Sequence, residues 1–486
     1  MTHSASRRRF LRRGAGAAVT ATLGLGLPQL VQAASFAAQT TAASGDFKAL
    51  IYLFLQGGND SFNMVAPKAP GPLRDRYQSF RKKGAIAADK LVAINPSDAV
   101  TIVGGEQYDG FGMHPNCADL AAMFNQGDLG VVANMGNLVA PTSRQQYLDS
   151  AVELPPQLFS HADQQRQFQS SPSVQWQQGV GGALAQQLAS FNQDQQVSPL
   201  ISLAGRNTFQ VSQDPTLSTF ALSANGAFTL RGYYSDRKSL LDNLMQVNTD
   251  HLMAQKHLDT LQNAQQAKNI IEQAYAIADN NGVDYDQIFA RHNAGSSDVG
   301  QQLKTVAKLI AGRDSTSNRR PVYFVSMGGF DTHQNLLPEH ADLMAQLNGA
   351  LAALREALVE QGDFDQALTF VGSEFGRTFI PNGDDDAAGT DHGWGGHALV
   401  MGGMVQGGKI YGSHPDLQVG QGLDSDKDKS RGRWIPTTAT SQCHAVMANW
   451  MGVAQSDLTT LLPTLANFND PFSTAANLGF IQGGAL

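Results

Sequence analysis

A run of six apolar residues, Leu50 to Leu55, stops abruptly at a glycine-rich polar loop, and this feature restricts the fold more than any other in the sequence. A short apolar run bounded by loop residues is typical of a strand that is buried on both faces, as in a parallel sheet. Similar runs recur along the chain, at Leu129 to Ala133, Leu200 to Leu203, Val322 to Val325, Leu368 to Val371 and Ala398 to Met401. We therefore expect one sheet assembled from distant parts of the chain.

Amphipathic segments lie between these runs and predict helices. In residues 299–311 and 339–358, apolar residues recur every three or four positions, which places them on one face of a helix. Strands that alternate with helices favour the α/β class, with a mostly parallel central sheet and helices on both of its faces. Residues 235–280 show a long polar helical pattern, which predicts one long helix or a helical hairpin that caps the sheet.

The first 33 residues have the features of a removable export signal. Ser6 to Arg12 contains a twin-arginine pattern, Ala15 to Leu27 is apolar and rich in glycine and alanine, and small residues precede Ala34. We therefore expect recognition by the twin-arginine translocase, cleavage near Ala34 and a periplasmic or secreted location. Because this route carries folded proteins, it suits a chain that acquires a metal ion before export.

The remaining chain is expected to hold one large domain. Residues 34–47 are interpreted as a linker, residues 48–465 as the α/β domain with helical and glutamine-rich insertions near 160–195 and 235–295, and residues 466–486 as a C-terminal tail. After the signal, no segment reaches the roughly 18 consecutive apolar residues of a membrane-spanning helix. We therefore expect no transmembrane anchor.

The charge balance excludes one class of partner. Removing the five arginines of residues 1–33, a segment without acidic residues, changes the formal net charge from −8 to −13. Such an acidic protein lacks the basic surface that binding to a nucleic acid backbone requires.

The only two cysteines, Cys117 and Cys443, form either one disulfide or two separate buried thiols, and the sequence leaves both alternatives open.

Two loops that follow predicted strands carry candidate metal ligands. In the first, Gly57 and Gly58 allow close approach of the backbone, and Asp60 offers a hard oxygen ligand, although an ordinary turn would have the same composition. In the second, Asp331 and His333 stand two residues apart and can point at one ion if the chain between them is extended. Where strands are parallel, the loops at their carboxyl ends converge, so these side chains are expected to meet.

A third pair of segments is the richest in groups that bind ions. Residues 373–378 contribute Glu374 and Arg377, and residues 390–397 contribute the candidate metal ligands Asp391, His392 and His397. A divalent ion would suit the mixture of carboxylate and imidazole, and Arg377 could hold an anionic substrate such as phosphate or sulfate through two parallel hydrogen bonds. The alternative is a glycine-rich loop whose polar groups are satisfied within the protein.

Ser160 is a candidate at the predicted start of a helix. Its hydroxyl would lie at the positive end of the helix dipole, where an anionic phosphate is stabilised, but it would suit an N-cap equally well. His114 is interpreted as part of a turn or as a substrate contact, and His340 as a residue that packs or is exposed on a helix. The sequence contains no nucleophile elbow, Walker loop or well-placed dinucleotide-binding fingerprint.

Taken together, the motifs closely resemble the bacterial family known as domain of unknown function 1501. They occur here in this order: the twin-arginine signal, Leu-Gln-Gly-Gly-Asn-Asp at 55–60, the segment 108–114, Leu-Phe-Ser-His at 158–161, Gly-Gly-Phe-Asp-Thr-His at 328–333, Ser-Glu-Phe-Gly-Arg-Thr at 373–378 and Thr-Asp-His-Gly-Trp-Gly-Gly-His at 390–397. The resemblance extends from about Lys48 to Val453. That family in turn resembles the alkaline phosphatase and sulfatase superfamily, whose members hydrolyse or transfer phosphate or sulfate esters with one or two divalent metal ions.

The resemblance implies roles for particular residues. Ser160 matches the nucleophile at a helix start, and the matching metal ligands are Asp60, Asp331, His333, Asp391 and His392. His397 as a further ligand, and Glu374 and Arg377 as further members of the catalytic set, are candidates from the residues of this sequence alone. The chain departs from the superfamily pattern because Asp331 and His333 are two residues apart instead of four, and because Glu374 stands where an Asp-His pair is common. These departures leave open the number of metal ions and the identity of the nucleophile.

The sequence therefore predicts an exported, metal-dependent hydrolase of a phosphate or sulfate ester. Zinc suits the mixed histidine and aspartate ligands best, whereas manganese or calcium would be favoured if carboxylates dominate. The metal would lower the pKa of Ser160 or of a bound water, and Arg377 would stabilise the transferred group. The alternative is a non-catalytic, exported cell-envelope binding or assembly protein with the same fold, in which the candidate ligands need not converge.

Overall fold

The structure is a computed structural model that describes residues 46–171, 178–192, 197–224, 239–240, 243–244, 246–247, 251–427, 431–468 and 478–482. The predicted export signal and its cleavage position lie outside the described residues, as do almost all of the predicted linker and much of the predicted tail. In the part of the chain that the structure describes, no helix is both long and apolar enough to cross a membrane.

The strands agree with the apolar runs of the sequence. Those described are β1 Ala49–Leu55, β2 Val65–Pro67, β3 Val92–Ala93, β4 Val100–Thr101, β5 Gln107–Tyr108, β6 Phe111–Met113, β7 Leu129–Gly136, β8 Leu200–Ser202, β9 Phe220–Ala221, β10 Val322–Met327, β11 Ala367–Ser373, β12 Gly396–Met401, β13 Ile410–Tyr411 and β14 Thr438–Ala439. All seven residues of β1 are buried, as expected for a central strand.

The main sheet has nine strands among the described residues and is mostly parallel, which confirms the predicted fold class. Its order is β13-β7-β12-β11-β1-β10-β8-β9, and β14 also pairs with β7. Strand β1 lies between β10 and β11 and is parallel to both. Strand β12 is antiparallel to β11 and to β7. The connection from β11 to β12 contains no described helix, so the chain turns back and pairs in the opposite direction.

The described α-helices lie in several of the other connections and after the last strand. They are α1 Ser61–Met64, α2 Pro72–Arg81, α3 Ala118–Gln126, α4 Arg144–Leu148, α5 His161–Gln169, α6 Val180–Gln187, α7 Leu252–Asp279, α8 Tyr285–Arg291, α9 Asp298–Ala311, α10 Arg313–Thr316, α11 Leu336–Glu360, α12 Thr440–Met451 and α13 Leu458–Leu461. Short 3-10 helices occur at Lys82–Gly84, Ala189–Asn192, Phe364–Gln366, Gln455–Asp457 and Pro463–Asn467.

The two predicted amphipathic segments are α9 and α11. The hydroxyl of Ser297 accepts a hydrogen bond from the amide of Gly300 and so caps α9. Helix α11 begins at Leu336, a few residues before the predicted segment, and packs against α8 and α9. On the other face of the sheet, Leu50, Tyr52 and Phe54 of β1 join a large apolar cluster with residues of α6 and α12. Helices on both faces therefore bury the sheet.

The predicted polar helical segment corresponds in part to α7, a single helix of 28 residues from Leu252 to Asp279. Its C-terminal half packs on α9 and α10, and the residues buried there include Ile270, Ile271 and Ala274. Much of the segment before Leu252 lies outside the described residues, so the predicted extent of this insertion stays a prediction.

The two cysteines are separate buried thiols. Cys117 lies beside the carbonyl oxygen of Met344, and the sulfur of Cys443 lies 3.4 Å from that of Met135. Burial raises the pKa of both thiols. Of the two alternatives left open by the sequence, the structure has the unpaired thiols.

Candidate metal and active site

The loops that follow β1, β10 and β11 meet at one edge of the sheet. In the parallel register Leu55 pairs with both Met327 and Ser373, so the three strands end at the same level. A bridge between Asn59 and Gly376 continues this pairing into the loops. As predicted, the polar segments after these strands therefore converge at the carboxyl edge, where ligands bind in open α/β sheets.

Glycine is required in the loop after β1. Gly57 has φ +120°, and a Cβ atom there would lie 2.5 Å from the amide nitrogen of Asp331. Gly58 has φ +89°, and its Cβ would lie 2.5 Å from the ring of Phe375. Positive φ and close approach together exclude larger residues. The amide of Gly57 consequently reaches Glu374 and donates a hydrogen bond of 2.9 Å to its Oε1.

Two histidines and an aspartate form a candidate metal cluster at this edge. Ligand atoms of His161, Asp331 and His392 all lie within 4.8 Å of one another. The Nε2 atom of His161 is 3.3 Å from Asp331 Oδ2, and that of His392 is 3.3 Å from Asp331 Oδ1. The Nε2 atom of His333 is 3.0 Å from Asp331 Oδ1 and 3.2 Å from His392 Nε2, so a third imidazole borders the cluster.

In the neutral form of each ring, the hydrogen bonds of two histidines leave the lone pair on Nε2, the nitrogen that lies near Asp331. His392 Nδ1 lies 2.7 Å from the carbonyl oxygen of Phe159, and because a carbonyl can only accept, Nδ1 carries the proton and Nε2 the lone pair. His161 Nδ1 lies 3.0 Å from Glu374 Oε1, and the same assignment follows if that oxygen accepts. The Nε2 atom of His161 is buried without a hydrogen-bond partner among the described residues. Outer hydrogen bonds of this kind are typical of histidines that bind metals.

Glu374 is the centre of the hydrogen bonds that support His161. It is buried, and its Oε1 accepts from the amide of Gly57, from Gln165 Nε2 at 3.0 Å and from His161, while Oε2 accepts from Ser373 at 3.1 Å. His161 and Gln165 are one turn apart in α5, so both reach the same carboxylate. Glu374 therefore orients His161 and is not itself one of the three candidate ligands, His161, Asp331 and His392.

The surroundings of the cluster shift the pKa values of its members in different directions. The hydrogen bond to Glu374 raises the pKa of His161, whereas burial lowers the pKa of His392. Burial alone would raise the pKa of Asp331, but the hydrogen bond and charge of Arg377, together with the nearby histidines, lower it. Asp331 is thus kept as a carboxylate, the form that binds cations.

Arg377 is enclosed by the protein and holds Asp331 in place. Its Nη1 donates to Asp331 Oδ1 at 2.6 Å and to the carbonyl oxygen of Gly57 at 3.0 Å. Its Nη2 donates to the carbonyl of Thr390 and its Nε to the hydroxyl of that residue. The side chain has no exposed surface. An antiparallel bridge between Arg377 and His392 also fixes the neighbouring segments in register.

Asp391 lies at the exposed side of the cluster. Its Oδ1 is 3.3 Å from His333 Nδ1, and its Oδ2 forms an ion pair with Arg431. The four predicted ligands Asp331, His333, Asp391 and His392 are therefore brought together.

The predicted ligands Asp60 and His397 have other neighbours in the structure. Asp60 is buried and forms an ion pair with Arg81, although its Oδ1 has no hydrogen-bond partner among the described residues. The Nδ1 atom of His397 accepts from the amide of Asn134 at 3.1 Å, and its ring centroid is 4.5 Å from that of Phe62. Neither residue belongs to the cluster of His161, so their role as ligands stays a prediction.

The remaining histidines singled out in the sequence are buried. His340 Nε2 lies 3.0 Å from Asn59 Oδ1, and its ring contacts that of His114 edge to face. Burial lowers the pKa of each of these two histidines to about 3. Both are therefore neutral near pH 7 and pack beneath the loop after β1.

Ser160 is the N-cap residue of α5 and precedes His161. Its hydroxyl donates a hydrogen bond of 2.6 Å to Asp163 Oδ2 and makes no side-chain capping bond to the backbone. A carboxylate that accepts the hydroxyl proton is suited to activate a serine. The nucleophile assignment itself stays a prediction.

The sequence predicts neither His161 as a candidate ligand nor Arg431 as its charged neighbour. The motif at 158–161 was interpreted through its serine, although His161 and Gln165 have the one-turn spacing of a shared helix face. Arg431 stands in a polar loop rich in aspartate, glycine and lysine, where neither Arg431 nor the nearby Arg433 carries a distinguishing pattern.

Comparison with known proteins identifies a family. The family model described as "Protein of unknown function (DUF1501)" matches residues 47–426. No curated protein gives a significant match. Solved structures that resemble the chain include a sulfatase from Pseudoalteromonas sp. (12% identity, 94% of this chain and 77% of that chain covered, TM-score 0.33). They also include the lipoteichoic acid synthase LtaP from Listeria monocytogenes (8%, 81% and 77%, 0.32) and an alkaline phosphatase PafA mutant (11%, 68% and 63%, 0.25).

Proposed function

We propose that this chain, which belongs to the DUF1501 family, binds a divalent metal ion through His161, Asp331 and His392 and hydrolyses a phosphate or sulfate ester at that ion. The observation that carries the proposal is the convergence of two imidazole Nε2 atoms on one carboxylate, with the opposite nitrogen of each ring held by an oxygen acceptor. A divalent cation at this point would be bound by both Nε2 atoms and by the carboxylate of Asp331 at once.

The ligand set favours zinc. Two nitrogen ligands and one oxygen ligand from the protein leave a position open for water or substrate, as in catalytic zinc sites. Calcium and manganese prefer more oxygen ligands than His161, Asp331 and His392 provide. A zinc ion held there would polarise the ester and make a bound water, or the Ser160 hydroxyl, a better nucleophile.

The protein supplies orientation and proton transfer. Glu374 and the carbonyl of Phe159 fix the imidazoles, and Arg377 fixes the carboxylate of Asp331. If Ser160 is the nucleophile, Asp163 accepts its proton across the existing hydrogen bond of 2.6 Å. If water is the nucleophile, Ser160 and Asp163 only cap α5. The variant Ser160→Ala distinguishes a serine nucleophile from a water nucleophile. It abolishes hydrolysis if Ser160 is the nucleophile and leaves hydrolysis in place if water is.

A metal titration tests the first half of the proposal. We expect the wild-type protein to bind about one zinc ion per chain, and the variants His161→Ala and His392→Ala to bind zinc at least ten-fold more weakly. His257→Ala is the control, because His257 is exposed on α7 and has no part in the cluster. Calorimetry and elemental analysis measure the stoichiometry. Equal zinc binding by all four proteins would contradict the assignment of the ligands.

An ester screen tests the second half. We expect the zinc-loaded protein to release nitrophenol from 4-nitrophenyl phosphate or 4-nitrophenyl sulfate, and a chelator to abolish the release. The alternative function, a cell-envelope binding protein, predicts tight metal binding or none, but no release from either ester. Absence of hydrolysis over a panel of phosphate and sulfate esters, in protein that holds its zinc, would reject the hydrolase.

A further inference from the structure

We propose that Arg431 binds a second anionic group of the substrate, so that the preferred ester carries a further negative charge beside the group that is cleaved. The inference deepens the proposed function and rests on it, because it concerns the same site. It names a substrate class, a phosphate or sulfate ester with a neighbouring carboxylate, phosphate or sulfate group.

Arg431 is a partly exposed arginine at the edge of the cluster. Its side chain is 37% exposed, whereas that of Arg377 is 0% exposed and already donates to Asp331, Gly57 and Thr390. An anion that enters the site can therefore reach the guanidinium of Arg431 without displacing any buried hydrogen bond.

The position of Arg431 sets the distance between the two anionic groups. Its Nη1 contacts Asp391 Oδ2, while Asp391 Oδ1 is 3.3 Å from His333 Nδ1, and His333 Nε2 is 3.0 Å from Asp331 Oδ1. One carboxylate and one imidazole thus separate the guanidinium from the aspartate of the metal cluster. The simplest substrate with two anionic groups held apart is one in which a single ring separates them, and we take this as the test case.

The backbone of Arg431 is anchored on both sides. Its amide donates to Asp426 Oδ2 at 2.9 Å, and its carbonyl accepts from the amide of Ile380 at 2.9 Å. The buried carboxylate of Asp424 accepts further amide hydrogen bonds from Gly432 and Arg433. The backbone from which the side chain of Arg431 extends is therefore held in place, which lowers the entropy lost when an anion is bound.

The ion pair with Asp391 is weak enough to be exchanged. Both side chains are partly exposed, and a pair of this kind contributes little to stability because water and salt screen it. A planar guanidinium can instead form two parallel, charge-assisted hydrogen bonds with a carboxylate, phosphate or sulfate group. An incoming anion would thus take the place that Asp391 holds in the structure.

Binding of two phosphonates tests the inference without a turnover assay. The probes are phenylphosphonate, with one anionic group, and 4-carboxyphenylphosphonate, with two, and calorimetry measures their affinities for zinc-treated protein. We expect the wild type to bind the second probe about ten-fold more tightly, the gain of one charge-assisted contact. Arg431→Gln should lose this preference at unchanged zinc affinity. Arg291→Gln is the control, since Arg291 forms a partly exposed ion pair with Glu356, outside the candidate cluster.

The outcomes separate this inference from the proposed function. Equal binding of the two probes by the wild type, a preference that survives in Arg431→Gln, or no binding of either probe would each overturn the role of Arg431. If Arg431 only fastens its loop, the variant loses stability and binds both probes equally less well, which also overturns it. Failure of zinc to bind, seen in the preceding titration, instead rejects the proposed metal site. In that case the affinities of the two phosphonates for metal-free protein are compared, and a preference for 4-carboxyphenylphosphonate that Arg431→Gln loses still supports the role of Arg431.

Discussion

At the scale of single residues, Glu374 is the carboxylate that orients His161 of the candidate metal cluster. Its carboxylate receives hydrogen bonds from a backbone amide, an amide side chain, a hydroxyl and His161. Of these partners, His161 is the one that belongs to the candidate cluster. The carboxylate holds one tautomer of His161 and raises the pKa of its ring. Both effects make the opposite nitrogen a stronger ligand.

We therefore predict that Glu374→Gln weakens zinc binding by about 10- to 100-fold, because the neutral amide no longer stabilises the oriented imidazole. Competition with a chelator of known affinity measures the change, and thermal unfolding of the metal-free proteins reports any loss of fold. Glu356→Gln is the matched control, since Glu356 lies 2.5 Å from His292 Nε2 outside the cluster. An affinity for zinc equal to that of the wild type would show that Glu374 does not position His161.

A second prediction at this scale concerns the buried ion pair of Asp60 and Arg81, whose side chains are 1% and 0% exposed. Asp60→Asn should lower the free energy of unfolding by about 3–5 kcal/mol, because it leaves a buried guanidinium without its counter-charge. Denaturant titration measures this loss. Asp384→Asn, which removes an exposed pair with Lys82, should leave stability unchanged. If Asp60→Asn instead abolishes zinc binding at full stability, Asp60 is a ligand and not the partner of Arg81.

At the scale of elements, the turn after β1 positions the cluster because it lets three loops come close together. The amide of Gly57 contacts Glu374, and its carbonyl contacts Arg377, which in turn holds Asp331. Those contacts require a backbone conformation and a closeness of approach that only glycine allows. The turn therefore holds Glu374 and Arg377 in place through its backbone, although it supplies no side chain to the cluster.

We predict that Gly57→Ala destabilises the protein by more than about 2 kcal/mol and weakens zinc binding, since the new Cβ meets the amide of Asp331 at 2.5 Å. Gly105→Ala is the control. Gly105 also has a positive φ, +94°, so alanine there is strained, but the added Cβ would have no atom within 4 Å and therefore no steric clash. That variant should lose about 1 kcal/mol and keep its zinc affinity. Equal losses in denaturant titrations of the two variants would contradict the role given to the close approach.

At the scale of the whole molecule, the core contains several buried histidines that the proposed chemistry does not use. Burial lowers the pKa of His444 from 6.5 to about 3, and that of His414 to about 4. His444 lies among aromatic rings, including those of Tyr52, Phe168 and Phe370. At a pH between 6.5, the pKa of a histidine in the unfolded chain, and its lower pKa in the native protein, the unfolded chain binds a proton that the native protein does not. The free energy of unfolding therefore falls as the pH falls from 6.5 toward 3.

We predict that His444→Phe makes the protein less sensitive to acid. Each such histidine contributes up to about 1.4 kcal/mol per pH unit to the fall in the free energy of unfolding, and the variant lacks one of them. Denaturant titrations of metal-free protein between pH 7 and pH 4.5, run in about one-unit steps, measure the two slopes. The same slope for wild type and variant would mean that His444 is protonated in the native state as readily as in the unfolded chain.

The sequence alone determined the fold class and the edge of the sheet at which the candidate ligands meet. Apolar runs such as Leu50 to Leu55 are local patterns, and parallel strands of similar length must end at a common edge. The sequence likewise grouped Asp331 and His333 with Asp391 and His392, because each pair stands in one short loop beside a strand of that sheet. The antiparallel direction of β12 was not predicted, since no local pattern encodes it.

Only the tertiary structure decided which polar groups meet. His161 reaches Glu374 across 213 positions of the chain, and Arg377 turns inward to Asp331 across 46. Asp60, which lies in a loop at the same edge, is paired with Arg81 of α2. Local sequence patterns extend over a few residues and report propensity and burial, whereas the partner of a buried charge depends on how distant elements pack. For that reason the sequence could propose the ligand types, and the packing selected which of them share a site.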